Sequence, residues 1–272
     1  LGIAYGTTTI SRGGSAEKTF TQTSFDHINI PNSVTTIGEN SFAGSNIKSI
    51  DIPEGVTTIG DTVFASCSAL KEVRLPYTLT TIGANPFSND QTLSSITIDT
   101  DNPIYSVLDD KYLVENKDNT LTLKSVLNGA SKAIETIKVN EESISIIGAN
   151  AASNMTFNED VTNIIHDNII CIESSAFSGS NIKSFNMSSN IVKPKLQYIR
   201  INAFKDCKLL TSVNVGDAVN SIGLAAFSGC TSLDNIIVPF IGDGENNTHF
   251  GYIFGATDSS NNSRHVPSSL KK

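Results

Sequence analysis

The pentapeptide Val-Thr-Thr-Ile-Gly stands at residues 34–38, again at 56–60, and in near copy as Leu79-Thr-Thr-Ile-Gly83. A phrase that returns at fixed spacing ties a chain to one kind of architecture, because each copy must adopt the same local structure and bury the same face. The flanks come into line with it. Ile50-Asp-Ile-Pro53 leads into the second copy, which runs through Val63-Phe64, Cys67 and Leu70 to Val73-Arg-Leu-Pro76, where the cycle restarts. Ile50 to Val73, Val73 to Ile96 and Val213 to Ile236 are each 23 residues. The unit reads I-x-I-P-x-x-V-T-x-I-G-x-x-A-F-x-x-C-x-x-L-x-x. A form one residue shorter carries Gly-Ser-Asn-Ile-Lys-Ser at 44–49 and again at 179–184. Phe42, Phe64, Phe87, Phe177, Phe204 and Phe227 share one repeat position, and Gly38, Gly60, Gly83, Gly148 and Gly223 share another.

One such unit cannot fold alone. Ordering its backbone costs roughly 1–2 kcal/mol per residue, whereas each of its few apolar side chains returns only about 1.5–3 kcal/mol on burial. Stacked units hide their Ile, Val, Phe and Leu against one another and pair strand edge to strand edge. A short strand is expected on I-x-I, an extended segment on V-T-x-I, and a turn or short helix on A-F. Proline after I-x-I ends the strand because it has no N–H for the ladder, and glycine after the isoleucine is expected to permit a bend that a β-carbon would hinder. Strands separated by a full coil of chain stack in parallel. The expected fold is a leucine-rich-repeat solenoid, right-handed and mostly β with short helical turns. Its parallel strands stack about one per 22–23-residue repeat in one continuous sheet.

The register organises the rest as one domain over residues 1–272. Residues 1–27, rich in Thr, Ser and Gly, are expected to cap one end of the core. After Ile98 the rhythm breaks, and Tyr112–Asn116, a turn at 117–119 and Thr120–Lys124 read as a β-hairpin inserted within 99–133. The rhythm resumes, degraded, at Ile137-Lys-Val139 and Ile147-Gly148, with Ala152 in place of Phe. It recovers at Ala176-Phe177, passes a lengthened unit at 185–212, runs clean from Val213 to Asn235, and ends in an irregular terminal repeat at 240–272.

The combination of I-P, V-T-T-I-G, A-F-S-G and C-x-x-L, clearest in Ala226-Phe-Ser-Gly-Cys-Thr-Ser-Leu233, resembles the BspA-like leucine-rich-repeat surface proteins of host-associated bacteria and some parasitic protists. The resemblance covers roughly residues 25–240, and the tail from Ile237 to Lys271 is similar to a terminal-repeat variant of that family. It implies a non-catalytic extracellular module, secreted or at the cell surface, that binds protein or glycan ligands on host or microbial surfaces. A spacer that lifts another domain off the surface is the alternative reading. The chain begins at Leu1 without Met, as expected of a processed form.

Charge and motifs narrow the chemistry. A net charge of −8 opposes nucleic-acid phosphates, and no stretch approaches the length of apolar chain that spans a bilayer. Ser45-x-x-Lys48, Ser180-x-x-Lys183 and Ser268-x-x-Lys271 match one element of the penicillin-recognising serine pattern, but the other elements are missing and two of the three recur with the scaffold. His27, His166, His249 and His265 are scattered, His249 being read as structural. Asp99-Thr-Asp101-Asn102 and Asp243-Gly-Glu245-Asn246 carry oxygen ligands without completing a calcium loop, so no metal or cofactor is expected. The Asn-x-Ser/Thr sequons at Asn154, Asn186, Asn246 and Asn261 bear on glycosylation only in a eukaryotic source. Cys67, Cys207 and Cys230 share a turn position and read as small buried thiols, a Cys207–Cys230 bridge being the alternative.

What remains is surface. Side chains alternate along a strand, so if Ile50 and Ile52 point inward, the exposed ladder includes Ser49 and Asp51, Glu72 and Arg74, Ser95 and Thr97, Thr136 and Lys138, and continues through Ser184, Asn186, Ser212, Asn214, Asn235 and Ile237. The binding candidates are Glu72, Arg74, Asp51 and Lys138 on this ladder and Tyr112 on the inserted hairpin.

Overall fold

The structure, a computed structural model, describes residues 2–13, 20, 23–108, 110–127, 138–139, 142–157, 168–187, 195–240, 242–244 and 249–271. Two compact units divide the chain, Leu1–Asn119 with Leu123–Ala130, and Thr120–Thr122 with Ser131–Lys272. Within each, the repeat winds as a solenoid whose coils meet on three sides.

The first side is the I-x-I ladder. In unit 1 it comprises β3 (Ser49–Asp51), β5 (Glu72–Leu75) and β7 (Ser95–Ile98), parallel and in register, Ile50 opposite Val73 and Val73 opposite Ile96. Unit 2 repeats it with β15 (Ser184–Asn186), β17 (Ser212–Asn214) and β19 (Asn235–Ile237). The proline after the strand then opens a tight turn, its carbonyl accepting from the residue three further on: Val34 N–H to Pro31 O at 3.0 Å, Val56 N–H to Pro53 O at 3.0 Å.

A second ladder stands on the Thr-Ile pairs, where one continuous sheet was expected. Unit 1 stacks β1 (Thr9–Ile10), β2 (Thr36–Ile37), β4 (Thr58–Ile59) and β6 (Thr81–Ile82), all parallel. Unit 2 stacks β13 (Ile146–Ile147), β14 (Cys171–Ile172), β16 (Tyr198–Ile199) and β18 (Ser221–Ile222). Both segments are extended and both meet their own copy one coil away at strand spacing, so both pair. Residues 1–27, expected as a cap, contribute a rung, because β1 lies in this ladder.

On the third side A-F forms consecutive turns with no helix. The turns still bond coil to coil, as in Phe42 N–H to Val63 O (3.0 Å) and Phe204 N–H to Ala226 O (2.7 Å). The left-handed backbone that such turns need lies two residues to either side of the phenylalanine, at Asn40 and Gly44, or at Ser175 and Gly179. It does not lie at the glycine after Ile, which corrects the bend expected there. A β-carbon on Gly38 or Gly60 would come within 2.6 Å of the backbone nitrogen of Arg12 or Glu39 in the preceding coil. Close approach of two coils selects glycine at that position.

The core is a column of rings. Phe20, Phe42, Phe64 and Phe87 stack at centroid separations of 5.1, 5.5 and 5.6 Å, and Phe177, Phe204 and Phe227 at 5.4 and 5.3 Å. In the terminal segment Phe254 takes the same slot, since Phe227 N–H bonds Ile253 O at 2.8 Å as other repeat phenylalanines bond the next coil.

The insertion is larger than a hairpin. β8 (Tyr105–Leu108), β9 (Tyr112–Lys117) and β10 (Thr120–Val126) follow one another, β8 antiparallel to β9. Asp118 and Asn119 link β9 to β10 with φ of 51° and 58°, the two-residue turn that suits the strand twist. Tyr112, expected as an exposed binding aromatic, is 1% exposed and buried beside Leu113 and Val114. Lys138 also leaves the parallel ladder: β11 (Lys138–Val139) pairs antiparallel with β12 (Glu142–Ser143). Thr136, Ile137, His166, Glu245 and Asn246 lie outside the described residues.

Because Phe64 stacks on rings above and below it, Phe64→Ala should lower unfolding free energy by about 3–5 kcal/mol. Urea unfolding followed by circular dichroism checks this, and a loss near that of an exposed-site substitution would contradict the ring column.

Candidate functional site

The outward side chains of β3 and β5 come together as the register requires. Asp51 stands opposite Arg74, and the guanidinium donates to Asp51 Oδ1 at 2.9 Å and to Glu54 Oε1 at 3.4 Å. These carboxylates, Asp51 first, raise the Arg74 pKa above its ordinary value. Glu72 is exposed on the same strand and faces Ser49 and Ser95 in the neighbouring strands. The second oxygen of Glu54 accepts the backbone N–H of Tyr77 at 3.1 Å, and the Tyr77 side chain is half exposed. An arginine on a paired strand thus sits between two carboxylates, with an aromatic on the adjoining turn. Tyr77 is the aromatic that sequence reasoning missed, and its signal was available: it follows Pro76 where other repeats have Asn32 and Glu54.

A second departure from the scaffold lies on the Thr-Ile ladder of unit 2. Cys171 and Tyr198 replace threonine, and Glu173 and Arg200 replace the glycine. The Arg200 guanidinium lies 4.7 Å from the Tyr198 ring centroid, and Cys171 Sγ donates to Glu173 Oε1 at 3.2 Å. Burial, reinforced by Glu173, pushes the Cys171 thiol up to about 12.

The repeat cysteines are free, and each has a structural task. Cys67, Cys207 and Cys230 donate to the carbonyls of Phe42, Phe177 and Phe204 in the preceding coil, at 3.2, 3.1 and 3.1 Å. Cys207 and Cys230 are therefore separate thiols and not a bridge. Burial raises all three pKa values, those of Cys67 and Cys207 to about 11, which leaves them protonated and unreactive at neutral pH. Ser45 and Ser180, the scaffold serines of the S-x-x-K pattern, are buried against Cys67 and Cys207. His249 bonds the Ala256 carbonyl at 3.2 Å within the terminal segment. Asn102, in the first acidic stretch, is used by the fold: its amide donates to Tyr77 O and Leu79 O and accepts from Ile104 and Tyr105.

The sequence profile of the BspA-type leucine-rich repeat region matches six copies in residues 15–107 and 122–195. The chain belongs to the BspA-type leucine-rich-repeat family. Among solved structures, the pneumococcal vaccine antigen PcpA is similar at 18% identity and a TM-score of 0.59, over 90% of this chain and 60% of that one. A leucine-rich repeat protein from Eubacterium ventriosum is similar at 18% identity and a TM-score of 0.58, over 96% and 63%. Both share the fold of this chain, which spans about three fifths of their length. No curated protein sequence matches the chain significantly. No helix among the described residues is long and apolar enough to cross a membrane.

One titrating group is out of place in this frame. Asp90 occupies the repeat-cysteine position, buried, with Oδ1 accepting Cys67 N–H at 2.6 Å and Oδ2 bonded to no described group. Burial pushes its carboxyl up to about 8. The folded chain therefore holds a proton that the unfolded chain releases near pH 4, so Asp90 favours the fold at low pH and progressively less as pH rises from about 4 to about 8. Asp90→Asn should remove that slope: its unfolding free energy should gain on wild type steadily across this range, and parallel curves would contradict the assignment.

Proposed function

We propose that this chain is a non-catalytic extracellular binding module, secreted or held at a cell surface, that recognises proteins or glycans on host or microbial surfaces. The observation that carries the reading is the Asp51–Arg74–Glu54 cluster beside Tyr77, set on the outer face of the unit 1 ladder. The scaffold does not need it. An ion pair this exposed contributes about 0–1 kcal/mol to stability, and a half-exposed tyrosine contributes little burial. Arginine and tyrosine are the residue types that dominate binding energy at interfaces; a paired strand holds Arg74, and the adjoining turn holds Tyr77, whose N–H is tied to Glu54. Glu72 and Ser95 extend the same face, and the surface-protein resemblance supplies the class of ligand. Lys138 and Tyr112 have no part in this site.

The test is a binding screen of the purified chain against matrix proteins, mucins and glycans, followed by substitution. Arg74→Ala and Tyr77→Ala should each weaken a ligand found this way by about 5–30-fold, Glu72→Ala by less, with melting temperatures unchanged. Ligand binding indifferent to Arg74 and Tyr77 would place the site elsewhere.

A further inference from the structure

The outer face of the Thr-Ile ladder breaks with the scaffold at two neighbouring strands of unit 2. β14 and β16 are interior to that ladder, paired on their far sides with β13 and β18, so a further coil added at an end of the stack does not cover their outer face. Gly38, Gly60, Gly83, Gly148 and Gly223 hold the position after the paired isoleucine in other coils. A β-carbon on Gly60 or Gly223 would come within 2.6 or 2.4 Å of backbone in the preceding coil. Glu173 and Arg200 fill that position in two successive coils. They follow Ile172 and Ile199, the last residues paired between the two strands, and so stand opposite one another. Opposite charges set across neighbouring strands ordinarily pair. Here each is engaged apart: Glu173 Oε1 accepts the Cys171 thiol at 3.2 Å, and the Arg200 guanidinium lies over the Tyr198 ring, 4.7 Å from its centroid. Among the described residues no carboxylate forms a salt bridge with Arg200.

The surroundings are basic and apolar. Residues 168–210 carry six Lys and Arg against Glu173 and Asp206, a net charge of +4 in a chain of net −8. Lys195 before β16 and Lys205 after it are both exposed. Ile170 is exposed where the neighbouring coils have Ser145 and Gln197, and Ile201 is exposed where the preceding coil has Ser174. Packing gives neither isoleucine a reason to stand there. A guanidinium over an aromatic ring keeps its N–H edge for a carboxylate, which it takes bidentately. Arginine and tyrosine among exposed apolar side chains have the make-up of a protein-binding centre.

We propose that the outer face of β14 and β16 is a second interaction surface, which binds an acidic protein segment whose carboxylates alternate with apolar side chains. It shares no residue with the Arg74 cluster and stands or falls independently of it. A carboxylate of the segment takes the N–H edge of Arg200, and its apolar neighbours cover Ile170 and Ile201. Tyr198 supports the guanidinium from behind and orients it before binding. The local positive charge favours the approach of an acidic partner to this part of an otherwise acidic chain. A sulfated glycan matches the charge but leaves the isoleucines uncovered. Twofold pairing with a second copy sets this basic face against itself, which like charge opposes.

Fluorescence anisotropy of a labelled peptide, Gly-Glu-Leu-Asp-Glu-Leu-Asp-Gly, titrated with the full chain tests this. The expected result is saturable binding that Arg200→Ala weakens about 5–30-fold and Ile201→Ser by less, both variants keeping native circular dichroism. Lys117→Ala, which removes one positive charge from the inserted hairpin, should change the affinity less than about twofold. The peptide with Gln and Asn in place of Glu and Asp should bind at least about tenfold more weakly. No saturable binding, or binding indifferent to Arg200→Ala, would overturn the proposal. Heparin that displaces the peptide, and whose own binding depends on Arg200 but not on Ile201, would overturn it in favour of a sulfated glycan. A dimer in sedimentation that Arg200→Ala dissolves would overturn it in favour of a second copy.

Discussion

Within each unit one coil covers the next, and neither can be stable without that cover. The backbone sets the spacing: two ladders and a bonded turn face hold successive coils at strand separation. Side chains must then fit that spacing. Phenylalanine rings meet the requirement by stacking with centroids 5.1–5.6 Å apart, offset as aromatic pairs prefer. Glycine after the isoleucine meets it by having no β-carbon where two backbones nearly touch. The repeat cysteine meets it by returning its thiol proton to a phenylalanine carbonyl one coil back. The period of 22–23 residues is the length of chain needed to go once round these constraints.

Function has room only where the constraints are slack. The outward positions of the strands answer to no packing rule, and there the chain places Asp51, Glu72 and Arg74, with Tyr77 on the adjoining turn. Unit 2 breaks the rule differently, putting Tyr198 and Arg200 where other coils carry threonine and glycine. Inward departures have a thermodynamic cost instead. Asp90 in a cysteine slot binds a proton more tightly folded than unfolded, which couples one rung of unit 1 to pH.

The solenoid was legible in the sequence because a repeat multiplies weak signals: one V-T-T-I-G says little, but its recurrence with I-P and A-F fixes register, strand direction and the core phenylalanines together. Arg74, Glu72 and Asp51 were legible for the same reason, since alternation on a registered strand assigns their side. Errors fell where periodicity lapses. Tyr112 is buried where the sequence suggests an exposed aromatic, because the insertion offers no repeat to compare with and the strand paired with it, Tyr105–Leu108, has only four residues. Ile137-Lys-Val139 looks like a rung in the sequence, but Lys138–Val139 pairs antiparallel with Glu142–Ser143. The second ladder went unread because two residues per rung are too few to show alternation.

The central claim is that hydrogen bonds between successive coils recur once per repeat. The glycine amides report it directly, because Gly38, Gly60, Gly83 and Gly223 donate to Ile10, Ile37, Ile59 and Ile199 of the preceding coil at 2.7–2.9 Å. Native-state hydrogen exchange at these positions should find all four protected by at least about a thousandfold over unstructured chain, with an exchange free energy approaching that of global unfolding in their unit. Exchange at these glycines as fast as in an unstructured peptide, in a chain that otherwise unfolds cooperatively, would contradict the account.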